Sequence, residues 1–331
     1  MGINEKRPFS LRSFLMRWEW ILVIFLVIAV AINSSISPHF LEARSLFDMT
    51  FNFMEKSIVA LIMTFIIIMG QIDLSVASNM AMSSVIMGVG YQAGLNIWLA
   101  AALGLAAGTL GGLFNGLIIT RVKLHSIIVT LATYSLYRGI AYVILGDKAV
   151  TNYPPAFSYL GQGYIGKSLL NIQLAAFIVL AIVFGLVLHK TKFGRSLYAI
   201  GNNELACRYS GIPVDRIKLI IYTLSGFISA MAGILLTSRI NTSRPNIALG
   251  FELEIITAVL LGGVSIYGGA GTMAGHARAG DRVTFYEIDL DVLRIAQEQF
   301  WFLRDCRSPV NILLGDGRLS ALVDDRLVSG V

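Results

Sequence analysis

The run MGQIDLSVAS (69–78) gathers Gln71, Asp73 and Ser75 behind Gly70, between two strongly apolar stretches. If those stretches lie in lipid, inserting a carboxylate between them costs about 2.5–3.5 kcal/mol, and such a group marks a candidate pathway or relay. A helix broken at that point also exposes backbone donors and acceptors that can line a route for a polar solute. A second reading stays open beside the first: Asp73 caps the following helix, favoured by its N-terminal dipole. The other reactive side chains do not assemble. His39, His125, His189 and His276 are scattered, and Cys207 and Cys306 lie in separate segments, so neither a metal set nor a disulfide framework follows. No GxxxxGK[ST] phosphate loop occurs. Residues 1–275 thus predict no catalytic group, metal or cofactor, and any energy from ATP has to come from another subunit.

The elements that hold residues 71–75 follow from composition. The chain has 331 residues, 56% hydrophobic and 14% charged, with mean hydropathy +0.72. Soluble domains carry roughly 25% charged residues. So much apolar surface exceeds what one globular core can bury, and the fold class expected is an all-α polytopic membrane protein. Apolar blocks run from Trp18 to Ile32 and then over 57–69, 74–90, 97–120, 126–145, 171–189, 219–238 and 253–267. A helix needs about 20 residues at 1.5 Å each to cross the hydrocarbon. Residues 55–90 read as one span interrupted at GQID or as two closely joined spans, giving about eight transmembrane segments in all. Ala29-Val30-Ala31 mimics a signal-peptidase site, but the many later spans favour an uncleaved first helix.

Charge sets the expected orientation. Residues 1–275 hold 19 Lys/Arg against 11 Asp/Glu, whereas 276–331 hold 7 against 9. The positive excess lies in short loops, at the basic N-terminus and in 190–218, which places both of these in the cytoplasm. Six spans separate them when 57–69 and 74–90 are counted apart, an even number that closes the topology. Arg121 and Lys123 then fall inside, and the segment 146–170 with Pro154-Pro155 falls outside. No basic helix or aromatic-basic platform suggests nucleic acid.

Gly104, Gly108, Gly112 and Gly116 recur every fourth residue and form one flat stripe for close helix packing in lipid. The basic segment 189–218 carries Leu197, Tyr198, Ile200, Leu205, Ala206 and Tyr209, more apolar side chains than a solvated loop needs. With stop signals at Gly211 and Pro213, it predicts a short helix over about 203–210 and a surface that docks on a partner. Arg239, Asn241, Arg244 and Asn246 flank the external end of a span, where they either face a soluble partner or anchor the membrane interface; both readings stay open.

GQIDLSVAS, FNGLIITRVKLHSIIVTLATYSLYRGI, FGRSLYAIGNNELACRYSGI and VLLGGVSIYGGAGTMAG, in that order, resemble the permease subunits of ATP-binding-cassette importers for monosaccharides, of the ribose, rhamnose and autoinducer-sugar group. The resemblance covers about residues 20 to 275. It implies a homo- or heterodimeric pore in the bacterial inner membrane, fed by a periplasmic sugar-binding protein and driven by cytoplasmic ATP-binding subunits that hold the ATP. It also implies a coupling helix within 194–213. Gly194, Arg195, Glu204 and Gly211 match the family pattern, and Glu204-Leu205-Ala206 stands where relatives usually read Glu-Ala-Ala. The leucine still offers an apolar knob to the ATPase.

After GAGTMAG the pattern changes. Residues 281–300 hold seven charges, which at about 2.5 kcal/mol each would cost about 17 kcal/mol to insert. RVTFYEID (282–289) reads as a strand, DVLRIAQEQFWFL (291–303) as a helix and VNILLGDGR (310–318) as a second strand, a water-solvated, incomplete α/β tail. The stretch resembles the spermidine-synthase-like methyltransferase group, by which Glu287 would sit on a ribose and Asp316 near an adenine of an S-adenosyl compound. GGAGT (268–272) fits both families, and GVSIY (263–267) can serve as that fold's first strand. The expectation is a chain of three parts: a cytoplasmic segment over 1–18, a permease domain over 19–275 lacking the family's last spans, and a vestigial tail over 276–331. An open fragment of about 56 residues buries little surface, so a membrane-tethered S-adenosyl-dependent transferase is the rival reading rather than the main one.

Overall fold

A computed structural model describes residues 19–36, 40–166, 170–271, 283–287 and 310–314. The architecture is helical. In chain order come α1 (Glu19–Ile36), α2 (Ala43–Thr50), α3 (Met54–Ile68), α4 (Val76–Gln92), α5 (Ile97–Leu117) and α6 (Ser126–Leu145). There follow β1 (Val150–Thr151), α7 (Pro155–Gln162), α8 (Ile172–Lys190), α9 (Lys192–Asn202), α10 (Glu204–Tyr209), α11 (Val214–Ile240), β2 (Thr242–Ser243) and α12 (Phe251–Leu261). The expected segment 1–18 lies outside the described residues.

Local chemistry sets the boundaries. Asn96 and Asn171 cap α5 and α8, their side chains accepting from Trp98 N and Leu174 N. These bonds satisfy two of the amides that a helix start leaves without partners. α5 runs on through a π-helical turn at Ile118–Val122 and stops at Lys123, whose φ of 59° is left-handed. Pro155 opens α7 at a position where its missing N–H costs nothing.

Among the described residues four helical segments are long and apolar enough to cross a membrane: Ile97–Val122, Ser126–Leu145, Ile172–Lys190 and Val214–Ile240. The broken pair α3 and α4 is different. At 15 and 17 residues these helices are only about 22 and 26 Å long, and most residues of both are buried. α4 lies against α5, α6 and α11, while α3 packs on α8, α11 and α12. The outward faces of α5, α6 and α8 expose Leu103, Leu110, Leu131, Val143, Val179 and Ile182. Apolar residues outside and serines within is the arrangement expected where lipid replaces water as solvent.

At one end β1 and β2 pair antiparallel, with Val150 opposite Ser243. The opposite end holds the α3–α4 break, the α5–α6 turn and α9–α10. Here the helix in the short block 253–267, α12, ends at Leu261 after 11 residues, and one sequence expectation is corrected. GVSIY forms turns rather than a strand, with Gly268 N donating to Ser265 O at 3.1 Å. Gly263, Gly268 and Gly269 have φ of 91°, 82° and 71°, a left-handed backbone that curls the chain instead of extending it. The curl docks on the helical body: Gly269 N donates to Ile68 O at 2.8 Å, and Tyr198 Oη donates to Gly271 O at 2.6 Å. Val264 is buried in the main apolar cluster.

Farther on, β3 (Val283–Glu287) and β4 (Val310–Leu314) pair in parallel, Val283 opposite Val310 and Glu287 opposite Leu314. Both fall inside the stretches read as strands. The expected helix over 291–303 and Asp316 lie outside the described residues.

Candidate functional site

The break between α3 and α4 brings Asp73 into the protein interior, 2% exposed. Asp73 Oδ1 accepts from Ser75 N at 2.9 Å and Ser75 Oγ at 2.6 Å, and Oδ2 accepts from Ser225 Oγ of α11 at 2.8 Å. No hydrogen bond runs from an α4 amide to Asp73, since Ser75 takes the cap position ahead of Val76. The carboxylate therefore stitches the break to α11. Asn115 of α5 donates to Ser75 Oγ at 2.8 Å and accepts from Tyr137 Oη of α6 at 3.1 Å. Asp73, Ser75, Asn115, Tyr137 and Ser225 thus join four parts of the bundle in one buried network. Among the described residues Asp73 makes no ion pair, so hydrogen bonds alone offset its desolvation. Gln71 sits apart from this network, at the end of the break, and its buried Oε1 has no partner.

The glycine stripe supports the same region. A Cβ on Gly112 would stand 2.3 Å from Tyr222 O and 2.7 Å from Gly226 Cα, and one on Gly108 would stand 2.5 Å from Ala230 Cβ. Gly104 and Gly116 face Ser83 of α4 and Leu219 of α11 in the same manner. Backbone thereby meets backbone, and Asn79 of α4 bridges the joint by donating to Gly108 O and Gly226 O at 3.0 and 3.2 Å.

The segment 189–218 divides its apolar residues between two jobs. Leu197 and Ile200 of α9 are buried in the main core, whereas Leu205 and Tyr209 of α10 stand 66% and 79% exposed. Ala206 is exposed beside them and Arg195 is exposed on α9. Gly194 has no room for a side chain, since a Cβ would lie 2.0 Å from Leu188 O. Gly211, with φ of 82°, turns the chain into α11. Asn203 caps α10 through Ala206 N at 2.9 Å. Arg208 donates to Glu204 Oε1 at 2.9 Å and to both Asp215 oxygens, and Lys218 Nζ donates to Glu204 Oε2 at 2.7 Å. These ion pairs fix α10 to the first turns of α11. Burial alone would push the Glu204 carboxyl up, but hydrogen bonds from Lys218 and Arg208 outweigh it and hold the group below the usual carboxylate range.

One cleft joins the two features. It measures about 510 Å³ and is lined by Gln71 at the break, Lys123, His125 and Ser126 at the α5–α6 turn, and Glu204, Leu205, Arg208 and Lys218. Spacing in the sequence does not reveal the meeting, because the three segments are far apart along the chain. It also misses two interior ties. Arg138 of α6 donates to Pro245 O and Ile247 O at 2.5 and 2.8 Å, and Glu55 of α3 pairs with Arg239 at 2.7 Å. Both could have been suspected as charged residues inside or beside apolar blocks. The second tie turns Arg239 inward toward Glu55, while Asn241 accepts from Ser158 Oγ at 3.2 Å.

A helical bundle with lipid-facing apolar flanks, a buried polar break and a protruding short helix defines a multi-pass membrane protein. Residues 45–277 match the family described as the branched-chain amino acid transport system / permease component, and the chain belongs to that family. It is 40% identical over 256 residues to a ribose import permease protein of Bacillus subtilis, covering 76% of this chain and 78% of the relative. An L-arabinose transport system permease protein of Escherichia coli is 39% identical, with 81% of each chain covered. An autoinducer 2 import system permease protein of Yersinia enterocolitica is 35% identical, covering 79% of this chain and 80% of the relative. No solved structure matches the chain. The protein is accordingly a transmembrane permease subunit of an ATP-binding-cassette importer, not an enzyme, in a family whose members in general work with ATPase and binding-protein partners.

Proposed function

We propose that the chain passes a monosaccharide, delivered by a periplasmic binding protein, across the bacterial inner membrane while separate cytoplasmic subunits hydrolyse ATP. The observation that carries this reading is the cleft that faces the helix break on one wall and α10 on the other. Leu205 and Tyr209 stand exposed on a helix braced by ion pairs, a shape suited to receive a push from a soluble partner. In this reading Gly194, Arg195, Glu204, Leu205, Ala206 and Gly211 form the coupling element, and Gln71, Asp73 and Ser75 border the translocation route. The relatives named for ribose, arabinose and autoinducer 2 favour a small polyhydroxylated solute.

The finer topology belongs to the same proposal. The N-terminus and 190–218 are cytoplasmic, about eight segments enter the membrane, and a second permease copy or homologue completes the pore within lipid. Supporting this, the break, the Arg121–Lys123 turn and α10 gather at one end of the bundle, as the even span count requires. Residues 276–331 form a separate water-solvated α/β segment in which Glu287 and Asp316 are relics of a nucleoside site. Their charge and the parallel β3–β4 pair speak for it, as does the end of the family match at residue 277.

The test is uptake of radiolabelled ribose and L-arabinose by cells lacking their own importers and supplied with cognate ATPase and binding protein. Accumulation of one pentose above the empty-vector level is expected, with Leu205→Asp abolishing it at unchanged membrane content. If neither sugar is taken up, the substrate class is wrong. If Leu205→Asp transports normally, the coupling role is wrong.

A further inference from the structure

We infer that Arg138 positions the loop 244–250 by exchanging partners: it holds the loop by its carbonyls here, and it releases the loop when its guanidinium pairs with Glu252. The guanidinium reaches the loop through Nη1 alone, which donates to Pro245 O and Ile247 O at 2.5 and 2.8 Å. Nε and Nη2 are buried without a partner, in a side chain 9% exposed. Glu252, in the first turn of α12, is 8% exposed, and its Oε2 is likewise buried and unpartnered. The two side chains lie within Coulombic reach of one another, yet no hydrogen bond joins these atoms.

Unmet donors and an unmet carboxylate of opposite charge, both out of water, form an arrangement that burial disfavours. The free edge of the guanidinium, Nε with Nη2, is a fork that matches a carboxylate, the strongest pairing open to arginine. The loop keeps the two apart, and the loop is itself strained. Ala248, 6% exposed, has a φ of 56°, a left-handed backbone that a residue with a Cβ adopts at a cost. Letting go of Pro245 O and Ile247 O frees Ala248 to relax, and Gly250, with φ of 83° just ahead of α12, absorbs the turn. Each arrangement therefore satisfies what the other leaves unmet. Here carbonyls are bonded and strain is kept; in the other the charges pair and the strain is released. The loop leads from β2 to α12, at the end that the proposed topology sets outside, so the exchange opens and closes the entrance used by the delivered solute.

The inference rests on reading the chain as a permease with this end outside, but its first test needs no transport, so the two can fail separately. Amide hydrogen exchange over 244–251 is followed in the full chain in nanodiscs, where Ile247 N and Phe251 N report because they donate within the loop. Glu252→Gln weakens the rival partner and should slow that exchange about tenfold, whereas Arg138→Gln should speed it about tenfold. The double variant should match Arg138→Gln alone, since the carboxylate acts only through the guanidinium. A carboxylate that merely supports the fold gives faster or unchanged exchange in Glu252→Gln, and either result overturns the proposal. Exchange over the buried α3 is the control for folding. If a variant disturbs it, the unaltered chain assembled with its ATPase and binding protein decides: ATP should change exchange over 244–251, and no change overturns the proposal. In uptake, Glu252→Gln should lower the maximal rate about tenfold and leave the half-saturating concentration of loaded binding protein as it was. An unchanged maximal rate beside slowed exchange overturns the role at the entrance. Failure of the native chain to take up either pentose counts against the permease reading, while the exchange measurement still decides the switch.

Discussion

Asp73 is a carboxylate kept in the interior by three donors and no cation, so its partners decide what substitution does. Asp73→Ala strands the hydroxyls of Ser75 and Ser225, each at about 1–3 kcal/mol for an unsatisfied buried group. Ser225→Ala removes one donor and leaves two, costing about 1 kcal/mol. Heating followed by size-exclusion chromatography of the detergent-solubilised protein should show the larger loss for Asp73→Ala; equal midpoints would mean that the network carries no stability. Glu204 makes a prediction in pH. Its folded pKa lies below its unfolded one, so its contribution is full above the ordinary carboxylate range and disappears as pH falls through the folded value. The gap in thermal midpoint between the native chain and Glu204→Gln should hold from pH 8 to about 5.5 and shrink progressively as the pH falls through and below the ordinary carboxylate range. The sequence marks Asp73 because an acid between apolar runs is conspicuous. Asn115, Tyr137 and Ser225 are not legible, since each occupies an unremarkable place on its own helix and only packing turns it toward the break.

Elements show the same division. The period of four in the glycine stripe is visible by inspection, but the partner it fits is not, because Gly226 and Ala230 lie more than a hundred residues away on α11. Gly112→Ala places a methyl against Tyr222 O and Gly226, which are backbone and cannot rotate aside. The helices must separate, at about 1–3 kcal/mol for overpacking. Gly139→Ala on α6 meets nothing within 4 Å and should leave the thermal midpoint unchanged or raised by helix propensity. A matching drop for both would remove the distinction between packing and propensity. α10 was legible to within a residue or so, because Asn203 and Gly211 bracket it with cap and stop chemistry. α12 was not: an apolar run over 253–267 does not disclose that the glycines after Leu261 fold back on α3. That reversal depends on positive φ values and on a dock at Ile68 O, neither of which hydropathy encodes.

At the scale of the molecule, orientation follows from where basic residues gather. Between Lys190 and Lys218 the chain carries six Lys/Arg, at the same end of the bundle as Lys123 and the helix break. The opposite end holds the β1–β2 pair and the Arg239–Glu55 tie, in which the guanidinium is turned inward. Lys and Arg resist translocation, which sets short basic loops on the cytoplasmic side. Trypsin needs an exposed basic residue, and Lys190, Lys192 and Arg195 supply three near the start of α9. Inverted membrane vesicles should therefore yield a cut near residue 192, seen on a denaturing gel as loss of the full-length band and release of a fragment ending there. Right-side-out vesicles should leave that bond intact until detergent is added. The β3 and β4 segments belong to the sequence beyond residue 275, which the proposed topology keeps out of the bilayer because its charges cost about 2.5 kcal/mol each to insert. Its arginines should be cut in the same preparation as Lys192, because α12 returns the chain at Gly262 to the end where α9 lies and the glycine turn docks there on Tyr198. Cleavage of the tail in right-side-out vesicles, with 190–195 protected, would place the two on opposite faces and require α12 to lead outward instead.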